Sequence, residues 1–266
     1  MTSATILRRE ARRRGYAATV PSGDPTIAPR RRPSPWTWLV AGSATLLLAI
    51  ALALLVAGLA SSETQIVTYS VRGAVDEVML DLAGANAVVV GGGSDRAVEV
   101  RRTDEFAFGR RARAGRAVTG GILRLRSRCP ATVPSSCSAT YRVSVPDNIP
   151  VTVRTSSGDV RFSAYRGSAS IATTTGDISV GGYCGFRLQA RAESGDVAAS
   201  ASCSPERLVL RSGTGDVRAV VPAGRYRVDA DTDGGTRRVA GIAAADDAPF
   251  QIQALSGSGD VDVETP

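Results

Sequence analysis

The sequence contains no histidine and no lysine, so all 32 of its basic residues are arginine. The first absence excludes histidine triads and histidine-ligated metal sites, and the second excludes Schiff-base lysines and the P-loop lysine. Aromatic residues are also scarce, at 5% of the 266 residues, whereas there are 28 glycines and 13 prolines. This composition favours turn-rich β structure over a bundle of helices.

Charge is distributed unevenly along the chain. Residues 1–35 carry eight arginines and two acidic residues, and they lack apolar periodicity, so we expect a disordered basic tail on the cytoplasmic side. Residues 61–266 hold 24 arginines and 23 acidic residues, a sum of only +1. A nucleic-acid-binding protein needs a basic face on its folded part. The near-neutral sum therefore argues against nucleic acid as a partner.

The uncharged run at residues 36–60 predicts a single transmembrane helix. As a helix it would reach roughly 37 Å, enough to cross a hydrocarbon layer of ~30 Å. Arginines precede the run and Glu63 is the first charge after it, which places the N-terminus in the cytoplasm and the following residues outside. A cleaved signal peptide is the alternative, because Gly58-Leu59-Ala60 resembles a cleavage site. Both interpretations export the C-terminal part.

A repeat of about nineteen residues occupies residues 151–266. Each copy contains Gly-Asp followed by a β-branched residue, and the glycines and aspartates are Gly158-Asp159, Gly176-Asp177, Gly195-Asp196, Gly215-Asp216 and Gly259-Asp260. A degenerate copy without the Asp lies in the long last gap, at Thr232-Asp233-Gly234-Gly235. Apolar residues alternate with polar ones on both sides of each turn, which predicts two short, half-buried strands per repeat.

Such a unit cannot bury its apolar face alone, so the copies are predicted to stack as an all-β solenoid or β-helix. The glycine would supply a positive φ, and the position three residues before it is always small. An antiparallel β-sandwich of the same strands is the alternative.

Residues 61–150 are predicted to form a membrane-proximal β region that caps the stack. A first degenerate repeat begins at Val78, with Ala85-Asn86 in place of Gly-Asp. Longer strand-like segments follow, and the arginine-rich segment Thr103–Val118 is predicted to be a loop.

The four cysteines fit this arrangement as two pairs. Cys184 and Cys203 each follow a motif glycine by eight residues, so in a stack they fall in one column on adjacent coils, where a disulfide can form. Cys129 and Cys137 could staple a hairpin between two strand-like runs. Two disulfides would agree with an oxidising, extracytoplasmic location. Four reduced, buried thiols are the alternative.

Several of these segments resemble a known bacterial family. The segments Leu123–Pro130 and Tyr141–Pro146, the N-terminal anchor and the repeated Ser/Thr-Gly-Asp-Val resemble the family of envelope proteins called "putative adhesin", a domain of unknown function. The resemblance covers roughly residues 66–264. It implies a β-solenoid-like envelope domain and supplies neither catalytic residues nor a cofactor. The chain departs from the pattern in its fifth repeat, which lacks the Asp, and in its first, which lacks Gly-Asp.

Two columns of charged residues are candidate sites on the predicted stack. Stacking would align Asp159, Asp177, Asp196, Asp216 and Asp260 along one edge, where they serve either as turn residues or as a Ca²⁺ ladder. Arg154, Arg191 and Arg211 share the position four residues before the motif glycine. They could meet an anionic polymer, or they could be solvated charges that keep strands from pairing edge to edge.

The favoured function is therefore a non-catalytic, single-pass envelope protein with an extracytoplasmic domain for adhesion, scaffolding or partner binding. Its expected partners are the membrane and a cell-wall polymer or envelope protein. The alternative is a β-helix that binds or processes polysaccharide or binds Ca²⁺, although every Asp occupies an equivalent turn and no acid pair is singled out for catalysis. A variant of the favoured function is a sensor whose basic tail reports inside the cell.

Overall fold

The computed structural model describes residues 35–60, 62–94, 97–107, 110–130 and 137–266. Nearly all of the predicted basic tail, residues 1–34, lies outside these ranges. The chain divides into two compact units within its one described helix, and every strand lies in the second unit, Leu52–Pro266.

Helix α1 spans Pro35–Ala60 and coincides with the uncharged run to within one residue. Its side chains from residue 42 to residue 57 are exposed, among them Leu46, Leu47 and Leu48. In the ranges that the structure describes, no helix was found that is long and apolar enough to cross a membrane. The transmembrane anchor therefore stays a prediction.

Twenty strands follow the helix in the described residues. In chain order they are β1 (Glu63–Arg72), β2 (Glu77–Ala83), β3 (Asn86–Val90), β4 (Ala97–Phe106), β5 (Arg113–Thr119), β6 (Ile122–Arg128), β7 (Cys137–Ser144), β8 (Val151–Ser157), β9 (Val160–Ser163), β10 (Ala169–Thr175), β11 (Ile178–Tyr183), β12 (Arg187–Ser194), β13 (Val197–Ala201), β14 (Arg207–Thr214), β15 (Val217–Val220), β16 (Arg225–Thr232), β17 (Arg237–Ala240), β18 (Ala243–Ala244), β19 (Phe250–Ser258) and β20 (Val261–Glu264).

The strands form two ten-stranded sheets. Sheet A has the order β1-β4-β7-β3-β9-β11-β13-β15-β20-β17, and sheet B has the order β18-β16-β19-β14-β12-β10-β8-β2-β6-β5. Each repeat supplies one strand to sheet B, a Gly-Asp turn, and one strand to sheet A; we call this unit a coil. Neighbouring coils pair in parallel, with Ala169 opposite Val151 and Ile178 opposite Val160.

This parallel register gives a solenoid-like stack and excludes the antiparallel sandwich for the repeats. Among the described strands, antiparallel pairing occurs only between β1 and β4, β4 and β7, and β5 and β6. All three pairs lie at the end of the stack that carries β1 and β5, in the capping region predicted for residues 61–150.

Chain order and spatial order differ at both ends of the stack. The coil β19–β20 lies between β14–β15 and β16–β17, so the degenerate repeat ends the stack although it comes earlier in the sequence. At the other end, β6–β7 lies outside β2–β3 in the same way. The last gap between motif glycines is 44 residues long because it contains the terminal coil β16–β17. The coil β19–β20 follows it in the sequence but lies between it and β14–β15.

The core lies between the two sheets and is built from the alternating positions of each repeat. The residues seven and five before the motif glycine, and two and four after it, are buried in every coil except the terminal one. There, Val228 and Val239 are half-buried and Arg237 is exposed. Because the same positions stack on each other, an apolar column such as Leu188, Leu208 and Ile252 is continuous from coil to coil.

The segment Thr103–Val118 corrects the sequence prediction of a loop. Its described residues include the end of β4 and most of β5. All seven residues of β5 are exposed, because this edge strand pairs only with β6. A strand exposed on both faces has no alternation of apolar and polar residues from which it could be predicted.

Candidate functional site

The five motif aspartates form one column along the corner where the coils turn from sheet B to sheet A; we call it the aspartate column. Within it, the carboxylate of one coil accepts a hydrogen bond from the backbone N–H of the Asp on the next. The N···Oδ1 distances are 3.2 Å from Asp177 to Asp159, 2.9 Å from Asp196 to Asp177, 2.8 Å from Asp216 to Asp196, and 2.8 Å from Asp260 to Asp216.

The same bond continues at both ends of the column through residues that are not part of a Gly-Asp pair. Asn86 accepts from the Asp159 N–H at 2.9 Å, and Asp260 accepts from the Thr236 N–H at 2.8 Å. Thr236 lies on the last coil of sheet A, and no described coil beyond it presents an N–H. At this terminal position an Asp carboxylate would have no backbone N–H of a further coil from which to accept a hydrogen bond. The degenerate repeat, which lacks the Asp, occupies this position.

The backbone geometry of the turn explains why a side-chain oxygen acceptor is needed. The Gly158 N–H donates to Thr175 O at 3.0 Å, and the Val160 N–H donates to Asp177 O at 2.9 Å, so both point towards the next coil. The Asp N–H between them points to the preceding coil, where the side chain at the equivalent position, Asn86 in the case of Asp159, supplies the acceptor. Because backbone N–H groups in folded proteins are almost always paired, the Asp completes the ladder that the backbone alone leaves open.

The motif glycines allow the turns to approach closely. Their φ angles lie between +130° and +152°, and a Cβ added at Gly176 would lie 2.5 Å from Gly158 O. A side chain there would push neighbouring coils apart, so glycine is required by the backbone conformation and by the contact together.

Four of the six small residues three positions before the glycine form a second set of bonds between coils, whereas the hydroxyl of Thr173 donates within its own strand. Ser212 donates to Gly195 O at 2.7 Å, Ser256 to Gly215 O at 2.8 Å, and Thr232 to Gly259 O at 2.7 Å. Sequence reasoning identified these residues as small and missed the hydroxyl bond. The available signal was that five of the six copies carry Ser or Thr there, the exception being Ala192.

The aspartate column shows no convergence of ligands towards a metal. Among the described residues, no group of three or more acidic or cysteine side chains could hold an ion. Each carboxylate in the column uses its Oδ1 on an amide instead. At Asp260, the hydrogen bond from the backbone N–H of Thr236 holds the pKa of the carboxyl below its ordinary value. The column is thus a structural device in the geometry described.

The three candidate arginines occupy one outward column of sheet B. Arg191 of β12 and Arg211 of β14 are direct neighbours, but Ala172 of β10 stands between Arg191 and Arg154 of β8. The predicted stripe is therefore interrupted after its first member. Arg211 donates from Nη2 to Gln253 Oε1 at 2.6 Å, which orients its guanidinium along the sheet.

A shallow groove of about 390 Å³ runs beside this arginine pair; we call it the sheet B groove. Its lining includes Ala172, Gln189, Arg191, Arg207, Arg211 and Gln253. Arg207 was not among the sequence candidates, because it lies outside the alternating segment that defines the strand. Three guanidinium groups and two primary amides around an open floor suit carboxylate, sulfate or phosphate groups on a polymer.

Both predicted cysteine pairs are disulfides in the structure. Cys184 and Cys203 join adjacent coils with a Cα–Cα distance of 4.8 Å, as the common column predicts. Cys129 and Cys137 join the end of β6 to the start of β7, with a Cα–Cα distance of 5.8 Å. That second bond connects two strands of one coil in different sheets, rather than the arms of a hairpin.

Part of the chain, including most of the repeat region, matches the model of one known protein family. Residues 143–241 match the model of the family described as Toastrack DUF4097, in line with the resemblance drawn from the sequence. No curated protein matches the chain.

Two solved structures are similar over most of the chain. A "putative cell adhesion protein" from Clostridium sporogenes is 10% identical, with 77% of this chain and 100% of that chain covered and a TM-score of 0.49. A "putative adhesin" from Bacteroides fragilis is 12% identical, with 76% and 97% covered and a TM-score of 0.41.

Proposed function

We propose, from the match of residues 143–241 to the Toastrack DUF4097 family, that this protein is a non-catalytic envelope protein whose repeat domain binds a partner. The observation that carries the proposal is the sheet B groove, where Arg191, Arg207 and Arg211 surround an open floor. Adjacent parallel coils hold Arg191 and Arg211 about 4.8 Å apart, and Arg207 lies four residues before Arg211 on β14. A surface of fixed spacing suits a repeating anionic polymer of the cell wall.

We further propose that helix α1 anchors the domain to the membrane and that residues from about 61 onward lie outside the cytoplasm. The uncharged run, and the arginines that precede it, support this orientation. The two disulfides are an independent support, because disulfides persist in oxidising compartments.

Binding of the full chain to purified cell wall tests the proposed surface. The variant Arg154→Ser/Arg191→Ser/Arg211→Ser should lose most of its binding, because three positive charges leave one face. The matched control removes three exposed arginines from sheet A, Arg142→Ser/Arg161→Ser/Arg238→Ser, and should bind as the parent does. Equal binding by the two variants would reject the sheet B groove as the contact surface.

A further inference from the structure

A second concentration of positive charge lies at the end of the stack that carries β1 and β5. Residues 101–128 contain nine arginines and two acidic residues, a sum of +7, although residues 61–266 together sum to only +1. The rest of the domain is therefore net acidic. We call the exposed arginines of β5 and β6 the basic end surface: Arg113, Arg116, Arg124, Arg126 and Arg128.

Most of these arginines have no acidic partner. Arg126 has one ion pair, to Asp81, at the long N···O distance of 3.9 Å with both groups exposed. Arg113, Arg124 and Arg128 make no ion pair with any described residue. An unneutralised cluster on one face attracts anions and repels cations.

The register between β5 and β6 opens a groove between the guanidinium groups. Gly115 lies opposite Arg126 and Ala117 lies opposite Arg124, so these two arginines of β6 each face a residue with almost no side chain, whereas Arg113 lies opposite Arg128. The resulting groove has a volume of about 470 Å³ and includes Arg116 in its lining. Guanidinium groups around a groove of this volume can each bind two phosphate oxygens.

Contacts and chain connectivity place this surface next to the start of the domain. Arg111 lies 3.8 Å from the Glu63 carboxylate, and the guanidinium of Arg116 lies 4.5 Å from the centre of the Tyr69 ring, so the β5 segment contacts β1. Only residues 61 and 62 separate the last residue of α1 from Glu63, a span of at most about 11 Å. Exposed Ile66 on β1 and Val118 on β5 add apolar area at the same end.

We infer that the basic end surface binds the phosphate groups of anionic lipids in the membrane that α1 enters. The inference rests on the proposed anchor. Unpaired arginines beside exposed apolar residues are the combination with which proteins bind the interface of an anionic bilayer. A second copy of the chain fits less well, because Arg113 and Arg116 would meet like charges if two β5 edges paired.

The test uses the full chain in vesicles of phosphatidylcholine alone or mixed with phosphatidylglycerol. Hydrogen–deuterium exchange of residues 113–128 should slow several-fold in the anionic vesicles only, and added NaCl should reverse the slowing by screening. The variant Arg113→Ser/Arg124→Ser/Arg128→Ser should lose this protection. A control with three exposed arginines removed far from β5, Arg166→Ser/Arg237→Ser/Arg238→Ser, should keep it.

Further outcomes separate the inference from the proposed anchor. Retention of the chain on vesicles after an alkaline carbonate wash, with equal exchange in both lipids, would overturn the lipid contact and leave the anchor standing. Loss of the chain in that wash would overturn both. Equal protection by inorganic phosphate added to phosphatidylcholine vesicles would assign the surface to free phosphate instead of lipid.

Discussion

At the scale of single residues, the motif aspartate shows how far a sequence pattern can be interpreted. The pattern correctly predicts a turn residue, because Gly-Asp recurs between strands. It does not identify the bond that the Asp makes, since the acceptor and the donor lie on different coils, 18 to 44 residues apart. The missing Asp of the degenerate repeat is the mark of a terminal coil.

The aspartate column predicts different effects for two substitutions at Asp196. Asp196→Ala removes the acceptor of the Asp216 N–H and should lower the free energy of unfolding by ~0.5–1.5 kcal/mol, whereas Asp196→Asn keeps an Oδ1 and should cost less. Urea denaturation measures both. Asp231→Ala removes an exposed acid from the outer face of β16 as the control, and a loss there equal to that of Asp196→Ala would contradict the assigned bond.

Calcium should leave the protein unchanged. Because each carboxylate of the column already accepts an amide, CaCl₂ should release no measurable heat of binding and should not raise the melting temperature. Isothermal calorimetry and a thermal melt check this, with MgCl₂ as the control for ionic strength. A rise in melting temperature specific to Ca²⁺ would restore the ladder of ligands as an explanation.

The buried tyrosines predict a loss of stability at alkaline pH. Burial raises the pKa of Tyr165 and Tyr183 above the ordinary value of 10.0, so their contribution is complete below pH ~10 and is lost as the pH rises towards the folded-state pKa. The chain has no lysine and its cysteines are in disulfides, so tyrosines are the groups that titrate there. The urea midpoint should therefore be constant up to pH ~10 and fall as the pH rises further.

The substitution Tyr183→Phe provides the check on that alkaline loss. It removes the hydrogen bond to Gly167 O, at 2.9 Å, and should lower stability at neutral pH. It should also make the fall of the urea midpoint with pH shallower, since one titrating phenol is gone. An unchanged slope would show that Tyr183 ionises equally well in the folded and the unfolded chain.

At the scale of elements, the strands were predictable and their order was not. The alternation of apolar and polar residues located both strands of each repeat, because one face of every inner strand is buried. The order of the last two coils could not be predicted, because every inner coil presents the same backbone edge. The alternation did not predict strand β5, because this strand buries neither face.

The disulfide between adjacent coils should stabilise the stack more than the one at its end. The Cys184→Ser/Cys203→Ser variant frees a 19-residue connection and should cost about 3 kcal/mol. The Cys129→Ser/Cys137→Ser variant frees only 8 residues and should cost about 2.5 kcal/mol by the same chain-entropy model. Chemical denaturation of both variants checks the order, and the reverse order would mean that strain or residual structure outweighs loop length.

At the scale of the whole domain, eight coils stack to a height of roughly 34 Å at ~4.8 Å per step. The domain has two chemically distinct regions, the basic end surface beside β1 and the sheet B groove several strands away along the same sheet. The candidate arginines could be placed on one face from the sequence, because they share a repeat position. The basic end surface could not, because it lies outside the repeats.

The internal position of β19–β20 predicts an unusual response to truncation. A chain that stops after Ala248 lacks the coil that separates β14–β15 from β16–β17, so residues 225–240 lose their only parallel neighbour on that side. Their amide hydrogens should exchange several-fold faster, whereas β10 and β12 should stay protected. A chain that stops after Val221 also lacks β16–β17, and it controls for the effect of length on the exchange of β10 and β12. Unchanged exchange in residues 225–240 of the longer truncation would show that β16–β17 can pair with β14–β15 directly.

The internal position of β19–β20 also determines the order in which the last two coils can be completed during synthesis. Residues 225–240 leave the ribosome before residues 250–264, yet they reach their final neighbours only after those later residues arrive. The terminal coil must therefore wait beside the growing protein, with its core-facing side chains uncovered, until synthesis has passed it. A chaperone that binds exposed apolar side chains would meet its client during that interval.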